Sequence, residues 1–223
     1  MDMTVLNRRV FVRQMATGVA ATSLLAALAG CGKKKAARAQ AVAAGSTVLA
    51  LGDSLTYGTG ASPETAYPTV LAGLTGWNVV NAGVPGNTSA QALERLPDLL
   101  AGHQPKLVIV SIGGNDFLRK LPEEGTRANI TAICQQAQAS GAQVLLVAVP
   151  QVSLAAALGQ MSDHPLYADI AKELQLPLQS KGWSQVLADD KLRSDAVHAN
   201  AQGYAEFAHS LHQTVLAAGL LRQ

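Results

Sequence analysis

Four short motifs follow one another along the 223-residue chain: Gly52-Asp53-Ser54-Leu55, Val84-Pro85-Gly86-Asn87, Gly113-Gly114-Asn115-Asp116 and Asp195-Ala196-Val197-His198. Their residue types suit acyl transfer. A serine hydroxyl is a weak nucleophile until a base accepts its proton, so Ser54 requires a histidine within hydrogen-bond reach. Of the five histidines, His198 is the best candidate. His103 precedes a strand at the far rim, His209 and His212 lie on the final helical segment, and only His164, in a loop, competes. Asp195, three residues before His198, suits a carboxylate that fixes the imidazole tautomer and stabilises the imidazolium. Attack on a carbonyl leaves charge on its oxygen, and the N–H groups of Ser54 and Gly86 with the side-chain amide of Asn115 are three donors suited to it. Each motif alone also has an ordinary reading. Asp195 and His198 fit a surface ion pair, 84–87 a tight turn, and 113–116 a strand-ending turn with an Asx cap. Asp195 and His198 bring no convincing cluster of further ligands, so no metal is expected, and no cofactor is called for.

Bringing such distant residues together is the task of the elements between them. Apolar runs of strand length fall at 47–51, 77–82, 106–112 and 143–149, with a weak one at 176–178. Leu107-Val108-Ile109-Val110 and Val144-Leu145-Leu146-Val147 do not alternate with polar residues, the pattern of strands buried on both faces. Amphipathic helical segments at 66–75, 89–100, 125–140, 165–174 and 201–218 separate and follow them. Strand alternating with helix predicts a three-layer α/β fold with right-handed crossovers, without internal repeat or second domain. In such sheets ligands bind beyond the carboxyl ends of the strands, where the first three motifs fall. The Asp195/His198 loop must reach the same rim.

With its extension Thr56-Tyr57-Gly58, the first motif and the three that follow resemble the conserved blocks of the SGNH (GDSL-type) hydrolases. The similarity runs from about residue 47 to the C-terminus and is nearest the branch of bacterial thioesterase I, lysophospholipases and arylesterases. It implies a flavodoxin-like fold with a five-stranded parallel sheet, Ser54 as nucleophile, Gly86 and Asn115 in the oxyanion hole, and Asp195 with His198 completing a triad. Ala199 departs from the pattern, standing where a proline commonly follows the histidine. The expected reaction is hydrolysis of fatty-acyl, lysophospholipid or aryl esters or thioesters through an acyl-serine. O-acetyl groups on envelope glycans and a non-catalytic ligand-binding lipoprotein are the competing expectations. The apolar segment 151–161 falls where a rim loop belongs, as an acyl-pocket lining or as a small accessory helix.

The first residues read as an address. Arg8-Arg9 precedes a mildly apolar run, 15–29, resembling a twin-arginine export signal. That run is shorter than the roughly 20 apolar residues a membrane span needs. Leu28-Ala29-Gly30-Cys31 matches a bacterial lipobox, in which Cys31 would be acylated and hold the protein to a membrane. Residues 32–45, basic and then alanine-rich, read as a linker, leaving 46–223 as the hydrolase domain. The formal charge of +2 belongs to the first 45 residues, since 46–223 carry ten basic against fourteen acidic residues, a net of −4. With neither a basic stripe nor interleaved aromatics, a nucleic-acid partner is not expected. The expected partners are a small acyl ester and a membrane, in a monomer exported to the bacterial envelope. The second cysteine, Cys134, lies in the apolar pattern of Ile130 and Ile133 and reads as a buried small hydrophobe.

Overall fold

The computed structural model describes residues 40–151 and 160–222. The expected export signal with Cys31, the linker up to residue 39 and most of the 151–161 segment lie outside the described residues.

Five strands, β1 (Thr47–Gly52), β2 (Asn78–Gly83), β3 (Leu107–Ser111), β4 (Gln143–Val147) and β5 (Leu178–Gln179), form one sheet in the order β2-β1-β3-β4-β5. Every neighbouring pair is parallel. β1, β3 and β4 are central, so both faces of their apolar runs are covered: all five residues of β3 are buried. β2 lies at the edge and keeps only Ala82 buried.

The helices are α1 (Ser54–Tyr57), α2 (Tyr67–Thr75), α3 (Ser89–His103), α4 (Gly114–Leu118), α5 (Glu123–Ala139), α6 (Leu166–Leu174), α7 (Gly182–Ala188) and α8 (Ala201–Ala217). α3, α5 and α6 pack as one group, and α2 and α7 pack on α8. This is the expected three-layer α/β architecture.

Some boundaries differ from expectation for local reasons. α3 continues through Gly102, a weak helix former, to His103, where Gln104 closes it with a φ of 44°. β5 begins two residues later than expected, because Pro177 has no N–H for a ladder and offers only its carbonyl, which accepts from Leu146 at 3.0 Å. α7 carries no side-chain cap and was not foreseen. The expected linker also ends early. Val42 is buried, its N–H donates to Leu220 O at 2.8 Å, and its carbonyl accepts from Trp77 Nε1 at 3.1 Å. Gln40 pairs through both backbone groups with the side chain of Gln143, at the amino end of β4.

An aromatic nest fills the core on the α8 side. Trp183 stacks on Phe207 with centroids 3.6 Å apart, and Tyr67 meets both rings edge-on. Such pairs add about 0.5–1.5 kcal/mol each to simple burial. Buried hydroxyls and indoles need partners, and here they reach toward the carboxyl ends of the strands. Trp183 Nε1 donates to Ser111 Oγ, Tyr67 shares a hydrogen bond with Thr56, Tyr204 donates to Thr59 O and Tyr167 to Ile112 O. The core thereby fixes the loops that follow β1 and β3.

Candidate active site

Ser54 opens α1 directly after β1, and its exit is tight. A Cβ on Gly52 would come within 2.0 Å of Thr56 Oγ1 and 2.5 Å of Ser111 O, so only glycine lets α1 fold back over the strand end. Asp53 caps that turn, its Oδ1 accepting from Leu55 N at 3.0 Å. From the other end of the chain, His198 presents Nε2 to Ser54 Oγ at 3.0 Å, and its Nδ1 lies 2.7 Å from Asp195 Oδ2.

A single carboxylate organises the histidine loop. Asp195 Oδ1 accepts from the N–H groups of Val197 and His198 at 2.8 and 2.9 Å, while Oδ2 faces the ring. Partial burial raises the Asp195 carboxyl's affinity for protons. The hydrogen bond from His198, the Val197 N–H and the facing imidazole outweigh it and hold the group below the usual carboxylate range. Ala199, where proline is common in the family, is buried and bridges to Arg193. The two turn bonds to Asp195 and a bond from Ser194 N to His198 O at 2.9 Å hold the loop without it.

The donors converge from two further loops. Residues 84–87 form a turn closed by Asn87 N on Val84 O at 3.1 Å, with Gly86 at a φ of +79°. The turn and the site readings of this motif are therefore compatible, since Gly86 also lines the cavity that holds Ser54. Among the described residues no acceptor takes the N–H of Gly86 or of Ser54. Asn115, in α4, donates through Nδ2 to Asn87 O at 3.0 Å and, more loosely, to Asp53 Oδ2 at 3.4 Å. The 113–116 motif is a helix start rather than a strand-ending turn. Its Asp116 is structural. Buried, it accepts Ser89 N at 2.8 Å and Ser89 Oγ at 2.5 Å, which locks α4 to the start of α3.

Two arginines complete the frame and gave no sign in the sequence beyond lying on polar faces. Arg95 of α3 turns inward, bridging Asn87 Oδ1 and Gly52 O at 2.9 Å each, and Arg119 donates to Gly86 O at 2.9 Å. The rival histidine, His164, stacks on Phe117 with centroids 4.1 Å apart and faces Glu123, while the ring on Ser54 Oγ is that of His198. His103 ends α3, and His209 and His212 lie within α8, as expected. Cys134 is buried in α5, which pushes its thiol up to about 12.

The site opens into a groove of about 740 Å³ lined by Leu118, Val149, Pro150, Met161, Leu187 and Val197 among others. Val149 and Pro150 precede the 151–161 segment expected to line an acyl pocket, its first and last residues, Gln151 and Met161, line the groove, and Gln151 N donates to Ser162 O at 2.9 Å. Its interior, 152–159, is outside the described residues.

Asp53 is the most perturbed acid here. Burial pushes its carboxyl from 3.8 up to about 6, against the Leu55 N–H and the nearby His198, and Asp116 adds to the rise. The folded state thus binds a proton that the unfolded chain has released between those two values, so stability falls as pH rises through that window. The full loss corresponds to about 3 kcal/mol. Asp53→Asn removes the titration. The stability difference between variant and parent, followed by urea unfolding, is expected to shift in the variant's favour by up to about 3 kcal/mol from pH 4 to pH 7. A flat difference across that range would show that Asp53 titrates normally.

A doubly covered parallel sheet carrying a Ser–His–Asp constellation at its carboxyl edge defines the general class. Residues 50–206 match the GDSL-like Lipase/Acylhydrolase family. The chain belongs to that family and is an ester-hydrolysing enzyme. It is 37% identical over 166 residues to the Thioesterase 1/protease 1/lysophospholipase L1 of Escherichia coli (strain K12), covering 71% of this chain and 77% of that protein. It is 38% identical over 112 residues to the Esterase TesA of Pseudomonas aeruginosa, covering 48% of this chain and 56% of that one. A crystal structure of TesA superposes with a TM-score of 0.69 at 26% identity, over 77% of this chain and 99% of that one.

Proposed function

We propose that the protein hydrolyses acyl esters and thioesters of apolar acids through an acyl-serine intermediate. Ser54 Oγ attacks the acyl carbonyl carbon while its proton passes to His198 Nε2, and Asp195 steadies the imidazolium. The carbonyl oxygen gains charge facing the N–H groups of Ser54 and Gly86 and the Asn115 amide. As the tetrahedral centre collapses, the C–O or C–S bond breaks and His198 protonates the leaving alcohol or thiol. A water molecule, giving its proton to the same imidazole, then attacks the acyl-serine; the acid leaves and Ser54 recovers its proton.

The observation that carries this reading is the Ser54–His198–Asp195 chain of contacts, 3.0 and 2.7 Å, set in a groove with a largely apolar lining. That lining favours fatty-acyl, lysophospholipid and aryl substrates over the O-acetyl groups of a polar glycan. The names of the relatives, a thioesterase/lysophospholipase and an esterase, support the same choice. The twin-arginine pair and the lipobox at Cys31 support an exported protein held to an envelope membrane by acyl chains.

The test is a p-nitrophenyl ester series from acetyl to palmitoyl, run beside acyl-CoA. The kcat/KM is expected to rise beyond acetyl, and Met161→Asp, which places a charge in the groove lining, should penalise octanoyl far more than acetyl. An optimum at acetyl, or equal losses on both esters, would overturn the substrate assignment.

A further inference from the structure

Five large apolar side chains are exposed among the described residues: Tyr57, Val84, Leu118, Leu121 and Val197, between 38% and 56% accessible. Scattered exposed hydrophobics are normal on a soluble domain and need no explanation. These are not scattered. Tyr57 ends α1, Val84 opens the Gly86 turn, Leu118 and Leu121 follow Asn115, and Val197 lies between Asp195 and His198. All five therefore stand on the segments that build the site, and the rest of the described surface exposes no large apolar side chain. Leu118 and Val197 also line the groove, so at these two positions the exposed apolar surface runs into its interior.

The polar residues interleaved with the ring have their own pattern. Arg119 and Lys120 lie between Leu118 and Leu121, with Lys120 in the left-handed region at a φ of 54°, and Glu123 and Glu124 follow Pro122 at the start of α5. Residues 118–125 are all exposed. Two cations between two apolar contacts, followed by two acids, match a surface whose head groups each carry a phosphate and an ammonium over an apolar interior. A purely anionic surface would meet Glu123, Glu124 and a domain of net charge −4.

We infer that this ring seats the mouth of the groove on a zwitterionic phospholipid surface, with Tyr57, Val84, Leu118, Leu121 and Val197 entering the interfacial layer. The surface is built by the same loops as the site, so seating places the groove where an acyl chain leaves the lipid without crossing water. Docking is a property of the ring and does not require turnover, so it is tested separately from hydrolysis.

The experiment uses the full chain carrying Ser54→Ala, so that no lipid is consumed. An indole is introduced at the ring by Leu121→Trp or, in a second protein, on the opposite side by His103→Trp. Trp77 and Trp183 are buried and supply a constant background. Vesicles of phosphatidylcholine brominated in the acyl chains are expected to quench the indole at position 121 and not the one at 103. Adding Tyr57→Ser and Val84→Ser, neither of which lines the groove, should raise the half-saturating lipid concentration at least about tenfold. Quenching at neither position, or equally at both, would overturn the inference. So would binding confined to anionic phosphatidylglycerol vesicles and abolished by salt, which would locate the contact in the basic N-terminal segment. If the two serine substitutions change only the oligomeric state in light scattering, the ring covers a second copy of the chain and the inference fails.

Discussion

Ser54→Ala is expected to lower kcat for a p-nitrophenyl ester by on the order of 10⁴- to 10⁶-fold while leaving the unfolding midpoint nearly unchanged. The size of the effect follows from the division of labour in the site. Without Oγ, 3.0 Å from His198 Nε2, the imidazole can activate only water, which lacks the serine's fixed position over the carbonyl carbon. The proposed oxyanion donors remain, so some catalysis above the solution rate is expected to be retained. Removal of Oγ leaves the fold intact because the contacts that hold α1 in place belong to its neighbours: Asp53 to Leu55 N, and Thr56 to Tyr67. Intact-mass analysis after treatment with a fluorophosphonate is the second readout. One adduct is expected on the parent and none on Ser54→Ala. Wild-type rates, or labelling that survives the substitution, would place the nucleophile elsewhere.

Asn115→Ala is expected to cost about 10²–10³-fold in kcat with a much smaller change in KM, because in the proposed mechanism its amide acts on charge that forms only after attack. The amide is prepared for this. One hydrogen is fixed by Asn87 O at 3.0 Å, which orients the group, and the other is held only loosely, toward Asp53 Oδ2 at 3.4 Å. A growing oxyanion can claim the second hydrogen without breaking a good bond. Asn115→Asp separates this from a merely structural role. It keeps the shape, removes both donors and sets a second carboxyl beside buried Asp53, so it should be slower than Asn115→Ala on every ester. If Asn115→Asp matches the parent, or if both variants raise KM and spare kcat, Asn115 serves the 84–87 turn and not the transition state.

How far the sequence disclosed this arrangement depends on the kind of force involved. The central strands were legible because burial on both faces writes itself as an unbroken apolar run, as in Leu107-Val108-Ile109-Val110. The motifs that meet at the groove were legible because glycine beside a serine or an amide marks a place where the backbone must come close, as at Gly52, where an added Cβ would come within 2.5 Å of Ser111 O. What stayed hidden are residues whose role is decided by a partner far away in the chain. Arg95 looks like any charge on an amphipathic helix, yet its guanidinium reaches Gly52 O, 43 positions away. Val42 has no periodicity around it and is buried because Trp77 and Leu220 close on it. Asp53 and Asp116 sit in visible motifs, but nothing local separates the acid that becomes a perturbed, buried cap from the one that accepts three hydroxyl and amide hydrogens from Ser89 and Thr126.

The bond from Val42 N to Leu220 O brings the first and last secured turns of the domain within 2.8 Å of each other, and Gln40 leaves beside the amino end of β4 while the reactive groove opens at the carboxyl end of the sheet. Adjoining first and last described turns are the geometry that circular permutation and insertion into a host loop require. Joined to a host protein through these adjoining turns, the domain would hold its groove at the end of the sheet opposite to β4's amino end.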